Sequence, residues 1–479
     1  MKKNNIIKIL MFFMLGVFIL SYIFPTSIDE SAQMQYMPIW NGIKYILVVF
    51  EYFGTIPLLI LAIGGLYGVL NKTGHYAKMV SEISNMWNKK SNIFIALTFL
   101  AFATLTSVTS IGLGLVIFVP LFISVILQLK YDKIVAFTCT FGAILIGNIS
   151  SVFNYNVLAG VLELYNLDVY ATLLIRIFIY VITVAVSILF LLRYAKEKNK
   201  NKKIDTDNVL LSVNKLEKNA PKTKGVYITL GILLLFIIVG SFPWQRAFKM
   251  NFFVDKATDL QEFEIDTITN IGSDIYDVEI DAYRPFISTL DLPIIGNYGD
   301  SDYIILILIA IIIIKVISKA KVDTIAEGFL DGAKGILKVV FVAVLIHFIL
   351  IIGTYHPAYM FVVHHLNELL NGFNLFIVSM ITVIMSVFNV NINMFVQNIA
   401  MILGTNITDN DFNGLLSTTI QSIYGIVSVV SPTSLILALG LSYTDINYTK
   451  WLKFILKAIL SITLVILIFL LIWTMIITV

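Results

Sequence analysis

Long apolar runs interrupted by short polar knots alternate along the chain. The stretch that organises the rest runs from Asn92 to Lys130, NIFIALTFLAFATLTSVTSIGLGLVIFVPLFISVILQLK, with two apolar arms around the hydroxyl-rich knot 104–110. The arms average about 15 residues, roughly 23 Å of helix, against a hydrocarbon core of about 30 Å. Both ends are therefore expected on one side of a membrane, with the knot carried into it. Non-helical backbone at that depth persists only where protein or a water-filled cavity satisfies it. The pattern predicts a re-entrant hairpin over 92–130 whose tip handles something polar.

The same reading orders the remaining elements. Residues 7–25 form a first span, 26–43 lie outside, and 44–70 return inward; 71–90 suit an amphipathic helix lying in the interface. After the hairpin, 134–165 cross as a broken span whose middle reads GNISSVFNYN (147–156), and 170–192 come back. A basic linker, 193–224, precedes an outward span at 226–243 and an external, acidic segment, 244–302, whose fold the pattern leaves open. Then 303–318 return, 336–353 go out, and 354–372 form a second amphipathic stretch. A second hairpin, 373–404, carries the knot SVFNVNINMF (386–395), and a second broken span, 413–445, is interrupted by VVSPTSL (429–435). Residues 453–478 close the chain outside.

The expected fold is an all-α polytopic membrane protein with nine transmembrane helices and two re-entrant hairpins. Its parts are an anchor helix with a short external loop (1–43), a first repeat (44–192), the linker (193–224), connecting spans (225–318) and a second repeat (319–479). The halves correspond at an offset near 279: 107–110 fall over 386–389, and 148–156 over 427–435. The order of interfacial helix, hairpin, broken span and whole span occurs twice. The first hairpin opens inward and the second outward, which makes this an inverted-topology repeat.

Composition agrees: hydrophobic residues are 58% of the 479 and charged residues 13%, against about 45–50% and 25% in soluble domains. Charge fixes the orientation. The pieces 1–8, 71–90, 129–133, 193–224, 319–338 and 445–457 hold 26 of the 33 Lys and Arg, whereas 244–302 holds four together with twelve Asp and Glu. By the positive-inside rule the amino terminus is cytoplasmic and the carboxyl terminus external, in the cytoplasmic membrane of a bacterium. The basic run KEKNKNKK is an orientation signal and implies no nucleic-acid partner. One cysteine, Cys139, excludes an internal disulfide, and the five histidines lack metal-ligand spacing. There is no P-loop, no GxSxG and no nucleophile with a base at motif distance, so no enzyme activity and no cofactor is expected.

Inverted repeats with discontinuous helices place a site where helix ends and unwound backbone meet, near the midplane. The candidate solute-binding residues are Ser107, Thr109 and Ser110 at the first tip, and Asn148, Asn154 and Asn156 in the first broken span. Their counterparts are Asn389, Asn391 and Asn393 at the second tip, and Ser431, Thr433 and Ser434 in the second broken span. Thr109 or Ser110 is expected to N-cap the second arm of the first hairpin, and Asn391 or Asn393 that of the second, so that free amides face an anion. Candidates for ion coupling, to Na⁺ or H⁺, are Ser150, Ser151, Ser428 and His347. Single Ser, Thr and Asn residues are common interhelical glue; four clusters at corresponding places point to function. Glu51, Arg176 and Lys315 lie within apolar spans, each within about two turns of an end, where snorkelling is cheap; for Glu51 and Arg176 structural pairing and a role in transport both stay open.

Two stretches, 129–177 and 398–454, resemble the YfcC-type basic amino acid antiporters of the ion transporter superfamily, alongside the divalent-anion/sodium symporters and the p-aminobenzoyl-glutamate transporters. The most specific part is Ser431-Pro432-Thr433-Ser434 followed by Tyr448-x-Lys450-Trp451-Leu452-Lys453-Phe454. The resemblance implies a homodimer in which a scaffold carries a mobile transport domain of hairpins and broken spans. The chain departs from that pattern. Leu113 and Gly114 stand where an acidic pair is common, Ile423-Tyr424-Gly425 replaces Gly-Asp-Gly, and His347 replaces an arginine. No core carboxylate is left to pair with a basic solute. The reading is a secondary transporter of a small carboxylate-bearing solute, an amino acid or a short dicarboxylate, working by exchange or with Na⁺ or H⁺. A channel and a non-transporting receptor are the alternatives.

Overall fold

The computed structural model describes residues 5–23, 39–154, 162, 167–198, 208–212, 222–250, 266–271, 274–279, 295–388, 392–403, 407 and 410–478. In chain order the helices are α1 (Ile6–Ile23), α2 (Ile39–Phe53), α3 (Thr55–Lys72), α4 (His75–Trp87), α5 (Ser91–Val108) and α6 (Val119–Gln128). Then come α7 (Lys133–Ser150), α8 (Leu173–Lys198), α9 (Lys224–Ser241) and the short α10 (Trp244–Phe248). The second half holds α11 (Asp300–Ser318), α12 (Val322–Tyr355), α13 (Met360–Glu368), α14 (Leu375–Phe388), α15 (Ile392–Leu403), α16 (Asn413–Val430), α17 (Leu435–Thr444) and α18 (Tyr448–Thr478).

Among the described residues nine helical stretches are long and apolar enough to cross a bilayer. The number agrees with the sequence reading, but the membership does not. The nine include the near-continuous stretch His75–Val108 and leave out α1, whose apolar part is shorter. Large apolar side chains stand exposed along the outer helices, among them Phe12, Leu174, Leu235, Ile312 and Leu464. A surface of that kind belongs against lipid.

Helices α3 and α12 run antiparallel through the middle and approach closely because glycines face one another. A Cβ at Gly68 would run into the Gly328 carbonyl, and one at Gly332 into the Gly64 carbonyl. Small residues at such a seam let backbones approach and pack without a hydrophobic drive between helices. At one end of the seam Lys72 lies 3.1 Å from Glu327; both are well exposed, so the pair adds little. The described piece of the linker, 208–212, docks on the end of α17, where the Leu210 amide donates to Tyr443 O at 3.1 Å. Beside it Lys338 of α12 lies 2.9 Å from Asp445.

Residues 91–131 fold back on themselves. The Tyr131 hydroxyl reaches Asn92 Oδ1 at 2.7 Å and Ser91 Oγ at 3.0 Å, so the chain leaves this segment beside the point where it entered. Burial pushes the Tyr131 phenol above its ordinary value, which keeps the proton in place for this contact. Tyr131→Phe should lower stability by about 1 kcal/mol, the worth of one neutral hydrogen bond. A thermal unfolding curve in detergent checks this; an unchanged midpoint would mean the closure adds nothing. Helix α4 lies along α6, held by Tyr76, whose hydroxyl is 2.8 Å from Pro120 O and 2.7 Å from Ser124 Oγ.

Helix α7 begins at an Asp132 cap, Val135 N to Oδ1 at 3.0 Å, contains one π-turn over Thr138–Gly142, and is buried almost throughout. It crosses α16 where Gly425 meets the backbone of Ile149. The segment 244–302, whose fold the pattern left open, contains a two-stranded antiparallel ribbon, β1 (Asp266–Ile271) and β2 (Asp274–Glu279), with Asp266 opposite Glu279. The span expected at 44–70 is two helices, α2 and α3. The stretch 354–372 contributes only α13, because α12 continues to Tyr355.

Candidate functional site

The first tip forms where α5 stops. Thr109 turns extended and its hydroxyl donates back to Leu105 O at 2.6 Å, while the Ser110 amide donates to Ser241 O at 2.9 Å. The second arm then starts as a 3₁₀ turn, Gly112–Ile117, after Gly112 at φ 47° reverses the chain. Neither Thr109 nor Ser110 caps that arm, which corrects the expectation: the first arm holds one and α9 the other. The arm lengths also differ from the expected 23 Å, since α5 has 18 residues, about 27 Å. The tip thus reaches the ends of α9 and α11, where Ser241 Oγ lies 2.7 Å from the Tyr303 hydroxyl.

The first break forms where α7 stops. Ser151 adopts the left-handed conformation at φ 39°, and its hydroxyl donates to Asn148 O at 2.9 Å. Tip and break bind each other. Ser107 Oγ lies 2.9 Å from Ser150 Oγ and accepts from Val152 N at 3.1 Å. Ser107 O accepts from the amides of Phe153 and Asn154 at 2.9 and 3.0 Å. The Asn154 amide group donates to Thr106 O at 2.9 Å and to Asn148 Oδ1 at 3.2 Å.

Two further side chains close on this break from other helices. Gln421 of α16 donates to Ser150 O and, at 3.3 Å, to Ile149 O. Arg176 of α8 donates to Val152 O at 2.7 Å, to Ser151 O at 3.3 Å and to Val169 O. Arg176 is wholly buried, so it does not snorkel; the carbonyls freed by the break lie closer than the surface. Asn154, Gln421 and Arg176 each leave one buried polar atom without a hydrogen-bond partner: Oδ1, Oε1 and Nε. Each such atom costs about 1–3 kcal/mol if nothing else meets it. Sequence reasoning missed Gln421, although the polar run Ser417-Thr418-Thr419-Ile420-Gln421-Ser422 inside a broken span is a signal that could have found it.

The second break is built alike. Ser431 Oγ lies 2.7 Å from Thr433 Oγ1, which donates to Val387 O at 2.7 Å. Asn154 and Thr433 differ by 279 in number, and each reaches a carbonyl at or near the tip of its own hairpin. Ser434 begins α17 without a side-chain cap. The freed carbonyls Val430 O and Val429 O accept from the Tyr448 hydroxyl at 2.5 Å and Trp451 Nε1 at 3.0 Å. Ser428 lies in the last turns of α16 and donates to Gly425 O at 2.6 Å.

His347 stands apart. It is buried, bonded to Ala343 O of its own helix at 2.8 Å, and stacked 4.5 Å from the Phe53 ring. Asn156, Asn389 and Asn391 lie outside the described residues, as does the side chain of Asn393. The described polar residues form two pairs, each a tip with its break. The first break lies against 421–425 of α16 and the second starts at 431, about 9–15 Å further along that helix. The expected single cluster at one depth is therefore drawn out along α16. Among the described residues no group of three or more His, Cys, Asp or Glu is placed to hold a metal ion.

A polytopic membrane protein with paired broken helices is the class these features define. The chain belongs to the C4-dicarboxylate anaerobic carrier family, DcuC, whose profile matches residues 7–476. The YfcC-type label is a finer resemblance that this match does not reach. No curated relative matches the chain. Among solved structures it is similar to the YdaH transporter of Alcanivorax borkumensis, at 12% identity and a TM-score of 0.41, with 98% of each chain covered.

Proposed function

We propose that this chain is a secondary carrier of C4-dicarboxylates, working by alternating access, with the solute held along α16 between the two breaks. The observation that carries this reading is the set of buried, unpartnered polar atoms at the first break, Asn154 Oδ1, Gln421 Oε1 and Arg176 Nε. Membership of a dicarboxylate carrier family gives the solute class. On this reading 91–131 and the second hairpin are re-entrant, the halves are inverted repeats, and the amino terminus is cytoplasmic. The carbonyls that a sodium ion would seek at the first break are held by Arg176 and Gln421, and those at the second by Tyr448 and Trp451. Exchange of one dicarboxylate for another is therefore favoured over cation coupling.

Counterflow tests it. Proteoliposomes preloaded with unlabelled succinate should take up labelled succinate transiently above the level of protein-free vesicles, at the same rate with or without Na⁺. Absence of protein-dependent uptake for succinate, fumarate and malate alike would overturn the assignment. A sustained current in place of counterflow would mark a channel.

A further inference from the structure

Arg176 is the one described charged side chain wholly excluded from solvent, and no carboxylate among the described residues lies within ion-pair distance of it. A buried, unpaired charge is costly, and burying it in lipid adds to that cost. Capping alone does not require it. At the second break the equivalent carbonyls are capped from the start of the following helix by neutral donors, Tyr448 and Trp451. The first break is capped from the start of its own following helix, but by a guanidinium. The two halves thus solve one backbone problem twice, and only one solution brings a positive charge.

We infer that Arg176 is the counter-charge for one carboxylate of the carried dianion, acting across the unwound 151–154 backbone with its Nε–H as the free donor. This rests on the dicarboxylate reading above and adds the residue that meets an ionised carboxylate of the solute. Three carbonyls fix the guanidinium in place, so its charge is present before the solute arrives. Gln421 Oε1 and Asn154 Oδ1, both without partners, can accept from a hydroxyl or a protonated carboxyl but cannot offset a second ionised one. The inference therefore predicts that one ionised carboxylate is required: succinate and its monoamide both depend on Arg176, and the uncharged diamide of the same length does not.

The test compares succinate, its monoamide (one carboxylate) and its uncharged diamide as competitors of counterflow in proteoliposomes. Arg176→Gln should weaken succinate and the monoamide alike by about 10- to 100-fold, the worth of one charge-assisted contact, and the uncharged diamide by much less. Because Arg176→Gln also removes the caps, a second variant leaves them in place. Thr172 lies one turn before Arg176, and its buried hydroxyl has no partner. Thr172→Asp sets a carboxylate beside the guanidinium and cancels its charge; Thr172→Asn is the control of equal size. Thr172→Asp should abolish the preference for the monoamide over the diamide, and Thr172→Asn should keep it. Arg176→Lys should retain the preference at reduced stability. An unmoved monoamide-to-diamide ratio in folded Thr172→Asp or Arg176→Gln would overturn the inference while leaving the transport reading intact. Absence of dicarboxylate counterflow in the unaltered protein would overturn the reading, and the inference with it.

Discussion

Gly425→Leu should leave no folded carrier to purify, and Gly425→Ala should lower the melting temperature and weaken dicarboxylate binding together. A Cβ at Gly425 would sit 2.5 Å from Ile149 Cα, 2.9 Å from Ile149 N and 3.0 Å from Asn148 O. All three are backbone atoms, so no side-chain rotation makes room. Overpacking typically costs about 1–3 kcal/mol, and alanine here belongs at the upper end, while leucine exceeds it. The same displacement would part Gln421 from the carbonyls of Ile149 and Ser150, which couples packing to the site. Gly231 of α9 is the control, since nothing lies within 4 Å of its Cβ position. Gly231→Ala should be neutral or stabilising by up to about 1 kcal/mol. Thermal unfolding and succinate binding on the same purified variants give the answer. A Gly425→Ala protein that melts and binds as the parent does would show that the two broken helices are not packed as tightly as their backbones indicate.

The architecture was legible because lipid leaves the chain few choices. Spans must be apolar and helical, so polar residues such as Ser107, Asn154 and Thr433 stood out against their runs, and all three bind at a tip or a break. The closing of 91–131 was legible from two arms around one knot. What could not be read was depth and partnership. Arm length misled because the 3₁₀ turn Gly112–Ile117 carries no polar signature and looks like part of a helix. The caps were misassigned because Thr109 and Ser110 could bond forward or backward, and only the position of Ser241 decides. Arg176 lies within about two turns of a span end, where snorkelling, pairing and a transport role all fit the sequence; the carbonyls it binds belong to a break 24 residues earlier. Gln421 stands in the polar run 417–422 of α16, a signal that lies outside the break at 429–435 and so did not mark it. His347 drew notice as a buried titratable group, yet its partner is one turn back in its own helix.

Asn154→Ala should weaken succinate binding by about 10- to 100-fold and lower stability by about 1–3 kcal/mol. The two effects have separate causes. The Asn154 amide group donates to Thr106 O and Asn148 Oδ1; alanine strands both acceptors, and a buried acceptor left alone costs about 1–3 kcal/mol. Its Oδ1 has no partner, and an oxygen held in place by two bonds made through its own amide nitrogen is preorganised for a ligand. Binding gains from such a group because no ordering remains to be done. Gln421→Leu should act alike, since Gln421 also donates through nitrogen and leaves Oε1 free. Thr104→Ala is the control: its hydroxyl bonds Leu100 O at 2.7 Å and lies 2.5 Å from the Tyr180 hydroxyl, so stability should fall with affinity unchanged. Interhelical glue predicts that Asn154→Ala and Gln421→Leu both behave like Thr104→Ala. If Asn154→Ala and Gln421→Leu melt early but bind succinate as the parent does, the unpartnered oxygens serve packing alone, and the solute is held at the second break.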